Sequence, residues 1–132
     1  IKAYSKACYT DVGGLRVALG WDTLDELLAL QRGYQVKIDK ELLVKHLRPT
    51  GAKYNYKGAV SKGRLFYELG YGFFLGVLAS IKWSFNQRGS LLAALGGFLG
   101  AWFTCKPKLV TKQEARFIMR YRWSQIFSRF IS

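Results

Sequence analysis

Two apolar runs constrain the second half of this chain more than any other feature. The first spans residues 65–81 with a single charge, Glu68, and the second spans residues 90–105 with none. Both are shorter than the roughly 20 apolar residues that a membrane-spanning helix prefers. Cations precede, separate and follow them, so the pattern predicts two short helices joined by a basic turn, as a re-entrant or interfacial hairpin. Glycines that would permit close helix contact recur in both runs: Gly70, Gly72, Gly76, Gly96, Gly97 and Gly100.

The C-terminal segment predicts a further helix, near residues 111–131. Thr111 followed three residues later by Glu114 is a capping box, which marks a helix start. Aromatic side chains alternate with cations that lie four residues or one heptad apart: Lys112, Arg116, Arg120, Arg122 and Arg129. Basic, aromatic-rich amphipathic helices are typical of membrane interfaces. For the two apolar runs the expected helices are near 62–83 and 90–104.

Charge divides the chain into two regions. The net charge of +13 accompanies a hydrophobic content of 50%, so the chain needs an anionic partner, either nucleic acid or an anionic membrane surface. Residues 1–50 are nearly neutral, whereas residues 51–132 contain only two acidic residues, Glu68 and Glu114. Two cysteines, Cys8 and Cys105, lack metal-site spacing and are expected to be free thiols in a reducing compartment.

The first half predicts mixed secondary structure. Residues 1–10 alternate mildly, as a strand does, and the DVGGL segment at 11–15 predicts a turn. Thr23 and Glu26 form a capping-box pattern for a helix over 23–32. Residues 34–38 and 41–47 are strand candidates, followed by a loop to about residue 62. These elements predict an α/β fold class for the first half.

Two carboxylates, Asp22 and Asp25, lie at the predicted start of that helix. The helix dipole and the free N–H groups favour their ionised form. An ionised carboxylate at this place is a candidate general base. An acidic residue in the first helical turn is equally an ordinary helix cap, and the residues alone leave both interpretations open.

The segments DVGGL, GWDTLDELLALQRGYQV and HLRPTG resemble the end of the catalytic domain of inverting family-2 glycosyltransferases of the GT-A fold. Gly33 and Tyr34 lie eleven and twelve residues after Asp22, a spacing that the resemblance assigns to the family's general base. Trp21 stands where the family usually has a first acidic residue. The resemblance implies that residues 1–60 are the acceptor-side end of a GT-A domain and that 61–132 are membrane-associated helices.

The reaction implied by the resemblance is transfer of a sugar from a nucleotide-sugar donor to a saccharide or lipid-linked acceptor, with inversion. His46 would join a divalent metal site, Mn²⁺ or Mg²⁺, Arg48 would meet the diphosphate, and Trp21 would stack on a sugar. The alternatives are a strand-end histidine, a solvated loop cation and a core tryptophan. The expected location is the cytoplasmic face of the bacterial inner membrane, peripheral or re-entrant.

The sequence has no Asp-x-Asp motif and no nucleotide-binding half, so the chain is expected to be a fragment that is inactive alone. Two other function classes compete with the transferase. A nucleic-acid-binding module would explain the basic charge and the aromatics, but it has no need of two long apolar runs, so nucleic acid is not the expected partner. A small basic membrane protein without catalysis would explain residues 61–132 and leave 1–50 unexplained.

Overall fold

The computed structural model describes residues 2–16, 20–39, 56–87 and 90–131. In these residues it contains six α-helices and no β-strand. The predicted α/β fold class is therefore wrong, because the described part of the chain is all helical. The chain divides into two compact units, Ile1–Lys53 and Tyr54–Ser132.

In the first unit, helix α1 spans Lys6–Val12, where the sequence predicted a strand. The Ser5 hydroxyl accepts a hydrogen bond from the backbone N–H of Cys8, which caps the start of the helix. Gly13 ends it with a left-handed φ of 82°, as the predicted turn requires. The strand prediction failed because a weak alternation of apolar residues carried less information than the cap at Ser5.

Helix α2 spans Trp21–Gln31, two residues earlier at its start than the predicted helix. Its N-cap is Gly20 in a left-handed conformation, so the predicted capping box of Thr23 and Glu26 does not form the helix start. Three leucines at helical spacing, Leu24, Leu27 and Leu28, are buried, together with Ala29 and Asp25.

The strand predicted over residues 34–38 is also wrong, since residues 34–39 have no regular structure. Val36 and Ile38, which the alternation places on a buried face, are both exposed. A strand needs a partner strand and an apolar surface to cover, and Ile38 is 83% exposed. The strand candidate at 41–47 and the first part of the loop that follows lie outside the described residues. The loop prediction is wrong over residues 56–62, which form the first part of a helix.

The second unit contains four helices: α3 (Tyr56–Glu68), α4 (Phe73–Gln87), α5 (Leu91–Phe103) and α6 (Lys112–Ile131). The single helix predicted near 62–83 is divided into α3 and α4. The break falls at Leu69–Gly72, where Gly70 has a φ of +76° that no continuous helix can include. The two helices predicted near 90–104 and 111–131 are confirmed as α5 and α6.

Helices α3, α4 and α5 pack on one another, and small residues allow the contact. A Cβ atom added to Gly63 of α3 would lie 1.8 Å from the carbonyl oxygen of Ala94. A Cβ atom on Gly97 of α5 would lie 2.1 Å from the carbonyl oxygen of Val60. The fully buried Phe98 ring occupies the space over Gly76 of α4. The predicted close contact of glycine-bearing helices is therefore present at Gly76 and Gly97, with Gly63 as an additional contributor. A Cβ atom on Gly96 or Gly100 would meet nothing within 4 Å.

Helix α6 begins at the predicted capping box. The Thr111 N–H donates to Oε2 of Glu114 at 2.7 Å, and the Glu114 N–H donates to the Thr111 hydroxyl at 3.3 Å. The first half of α6 packs on the turn between α3 and α4, where Ala115 and Met119 contact the glycines of that turn. Helix α4 begins directly after the same turn. Side chains of α4 and of the second half of α6 therefore border a common groove.

Candidate functional site

The two predicted catalytic carboxylates have different environments. Asp22 lies in the first turn of α2 and is exposed. Its backbone carbonyl accepts a hydrogen bond from Nζ of Lys2, and the same lysine forms an ion pair with Glu26 at 2.8 Å. Asp22 thus has the exposure that a general base needs and the location that an ordinary N-terminal acid prefers.

Asp25 is buried, with 3% of its surface exposed, and its Oδ2 accepts a hydrogen bond of 2.8 Å from the Tyr4 hydroxyl. Burial and that hydrogen bond both raise the pKa of Tyr4 above its ordinary value. A cavity of about 10 Å³ lies beside Asp25, which is the room that a single water needs. Asp25 is thus a buried hydrogen-bond acceptor, and its hydrogen bond links the segment before α1 to α2.

The other predicted site residues lie outside the described part of the chain. They are His46, Arg48 and the side chain of Trp21, whose backbone begins α2. Across the residues that the structure describes, no group of three His, Cys, Asp or Glu side chains could hold a metal ion. The divalent metal, the nucleotide-sugar donor and the acceptor remain predictions that these residues do not test.

The second unit exposes an apolar stripe on each helix of the α4–α5 pair. On α4 the stripe is Phe74, Leu78, Ile81 and Phe85, spaced four, three and four residues apart. On α5 it is Leu92, Leu99 and Phe103, spaced seven and four residues apart. These spacings place each set on one face of its helix. Phe74, Phe85, Leu92 and Phe103 are each 75–82% exposed.

Several large, exposed apolar side chains on one helix face are typical of an interaction surface. Neither α4 nor α5 contains an acidic residue. Within the described residues, no helix combines the length and the apolar composition that a membrane-spanning segment requires.

A groove of about 360 Å³ lies beside the α4 stripe. It is bordered by α4, by the second half of α6, and by residues of α3 and the turn that follows. Its apolar lining includes Phe66, Leu75, Leu78, Trp83 and Ile126. Leu78 belongs both to this lining and to the exposed stripe, so the groove opens directly beside the apolar face of α4.

Four cations also line this groove: Lys62, Lys82, Arg122 and Arg129. No acidic residue is among the described residues that line it. The two acidic residues of the second unit have partners elsewhere, because Glu68 is paired with Arg64 at 2.6 Å and Glu114 belongs to the capping box of α6. The groove is therefore positively charged as well as apolar.

Arg122 is the cation with the most unusual surroundings. Burial raises the pKa of the neighbouring Tyr71, while the positive charge of Arg122 and hydrogen bonding to it lower that pKa by a smaller amount. Nε of Arg122 is buried and has no hydrogen-bond partner among the described residues. An arginine cannot lose its proton in a protein, so this N–H is a donor left unsatisfied in a charged group.

No groove was predicted from the sequence, although two of its cations were placed on the helix that borders it. Arg122 and Arg129 were placed on one helix, one heptad apart, and both line it. The contribution of α3 and α4 to the groove was not predicted. The available signal was the spacing of Leu75, Ala79 and Lys82, which puts them along one side of α4.

No family model, no curated protein and no solved structure matches this chain. The resemblance to family-2 glycosyltransferases is therefore wrong. No family comparison supports it, and the described residues have no strand from which a GT-A sheet edge could be built. Sugar transfer with Asp22 as general base depended on that resemblance and is tested by nothing in the described structure.

Proposed function

We propose that residues 54–132 form a membrane-interface module, in which the apolar stripes of α4 and α5 enter an anionic bilayer surface. The observation that carries the proposal is the pair of exposed apolar stripes on helices that contain no acidic residue. Cations on α3, α4 and α6 supply the attraction to anionic headgroups that such a module needs.

Helix length favours an orientation along the surface. At 1.5 Å per residue, the 15 residues of α4 extend over about 22 Å and the 13 residues of α5 over about 20 Å. A bilayer has a hydrocarbon core of about 30 Å. Lying in the interface lets each helix immerse its stripe while its opposite face stays packed on the unit.

The energies are adequate for reversible binding. Full burial of a Leu or Phe side chain stabilises by about 1.5–3 kcal/mol, and each cation near an anionic surface contributes about 1 kcal/mol. Partial immersion of several stripe residues together with a few cations therefore supports association without a spanning helix.

Vesicle co-sedimentation of the full chain tests this proposal. The double substitution Phe74→Ser and Phe85→Ser removes two side chains that are 75% and 76% exposed. We expect at least about a tenfold loss of affinity for vesicles that mix phosphatidylglycerol with phosphatidylcholine, because part of the burial energy of each ring is lost. Binding should also weaken on pure phosphatidylcholine and at raised salt.

The matched control is Ile38→Ser, which removes an apolar side chain that is 83% exposed in the first unit. It should leave vesicle affinity unchanged. Equal affinity of the Phe74/Phe85 variant and the unsubstituted chain would contradict the proposal. So would preferential binding to an RNA oligonucleotide when RNA and vesicles compete, which would favour the nucleic-acid alternative.

A further inference from the structure

The groove between α4 and α6 follows both helices for about two turns. One end is marked by Tyr71, Leu75 and Arg122. Lys82 lies seven residues after Leu75 on α4, and Arg129 lies seven residues after Arg122 on α6. Seven residues of α-helix correspond to about 10 Å. Cations are therefore present at both ends of a lining that is otherwise largely apolar.

We infer that this groove binds a single anionic phospholipid, with the headgroup on the cations and an acyl chain on the apolar lining. The inference deepens the proposed function and depends on it for the source of the lipid, which is the bilayer that the stripes enter. A volume of about 360 Å³ is in the range of small-molecule sites.

Charge complementarity decides the kind of headgroup. Lys62, Lys82, Arg122 and Arg129 line the groove without an acidic side chain among the described lining residues. A guanidinium is a planar donor that matches the oxygens of a phosphate. A bound phosphate would also supply the counter-charge for Arg122, whose Nε is buried without a hydrogen-bond partner in the described structure.

The apolar lining decides that the ligand is a lipid and not a free anion. Phe66 and Leu75 are buried and Leu78 is 46% exposed, so the lining continues from the interior of the unit to its surface. Leu78 is also part of the stripe proposed to face the membrane. An acyl chain can therefore pass from the bilayer over Leu78 into the groove without crossing a polar surface.

Calorimetric titration of the full chain with a short-chain phosphatidylglycerol, below its micelle concentration, tests the inference. We expect binding of one molecule. Arg122→Gln should weaken it at least about tenfold, the usual scale for a hydrogen bond to a charged group. Arg129→Gln should weaken it as well, and because Arg129 is exposed this variant keeps the fold intact.

The matched control is Arg120→Gln, which removes the same charge from an exposed position of α6 that does not line the groove. It should change the affinity less than about twofold, whereas non-specific attraction would be weakened equally by all three substitutions. The inference is overturned if the Arg120 variant loses as much affinity as the other two. It is overturned too if inorganic phosphate binds as tightly as the lipid, or if no lipid binds.

Vesicle binding separates this inference from the proposed function. If vesicles bind through the stripes while the monomeric lipid does not bind, only the lipid site is wrong. If the monomeric lipid binds in an Arg122-dependent way while vesicles do not bind, the site stands and the membrane-interface proposal fails.

Discussion

At the scale of single residues, Asp25 and Asp22 are three positions apart on α2 and differ in burial and in hydrogen bonding. Asp25 is buried and accepts a hydrogen bond from the Tyr4 hydroxyl, whereas Asp22 is exposed in the first turn. Removal of Asp25 would leave the part-buried Tyr4 hydroxyl without this acceptor, so part of its desolvation cost would remain. The two carboxylates thus differ in what each contributes to folding of the first unit.

We predict that Asp25→Ala destabilises the first unit by about 1–3 kcal/mol, because a buried side chain and its hydrogen bond with the Tyr4 hydroxyl are lost. Asp22→Ala should have a clearly smaller effect, since it removes only a favourable charge at a helix N-terminus. Amide hydrogen exchange of residues 21–31 measures both effects. Equal protection of α2 in the two variants would contradict this assignment.

At the scale of elements, two neighbouring glycines of α5 have opposite surroundings. A Cβ atom on Gly97 would lie 2.1 Å from the backbone of Val60, and a Cβ atom on Gly96 would meet nothing within 4 Å. Gly97 therefore permits α3 and α5 to approach closely, whereas Gly96 lies on the open face of the same helix. The contact is to backbone, which cannot move aside as a flexible side chain can.

We predict that Gly97→Ala destabilises the second unit by about 1–3 kcal/mol through overpacking. Gly96→Ala should stabilise it by up to about 1 kcal/mol, because alanine is the better helix former at an exposed position. Urea unfolding followed by circular dichroism measures both changes. Destabilisation by Gly96→Ala, or tolerance of Gly97→Ala, would show that the packing of α3 on α5 is different.

Helices in the second half could be predicted from the sequence because their signals are local. The Thr111–Glu114 cap and the uninterrupted apolar run of α5 identify a helix without reference to the rest of the fold. The break between α3 and α4 was not predicted, because a single glycine such as Gly70 is tolerated within a helix. The sequence does not show that its φ is +76°.

Strands in the first half were predicted wrongly for a related reason. Alternation at 34–38 describes a strand only if a partner strand and an apolar surface exist, and neither can be read from five residues. The groove could not be predicted either, since Phe66, Lys82 and Arg129 are distant in sequence and meet only after α3, α4 and α6 have folded.

At the scale of the whole molecule, the second unit carries both an excess of positive charge and exposed apolar stripes. It has only two acidic residues, of which Glu68 is paired with Arg64 and Glu114 belongs to the cap of α6, so cations are in large excess. Apolar stripes and cations are therefore presented together by one compact unit. This combination is the basis of the membrane-interface account.

The most direct test of that account is the depth of α4 in a bilayer. In a background with Cys8→Ala and Cys105→Ser, nitroxide labels placed singly at positions 74, 78, 81 and 85 report depth by collision with oxygen in phosphatidylglycerol-containing vesicles. Labels at Ser61 and Ser124, which are exposed on α3 and α6, are the controls. The account predicts one shared, shallow depth for the four stripe positions and aqueous exposure for both controls. A steady increase in depth from position 74 to position 85, or no change in any label when vesicles are added, would contradict it.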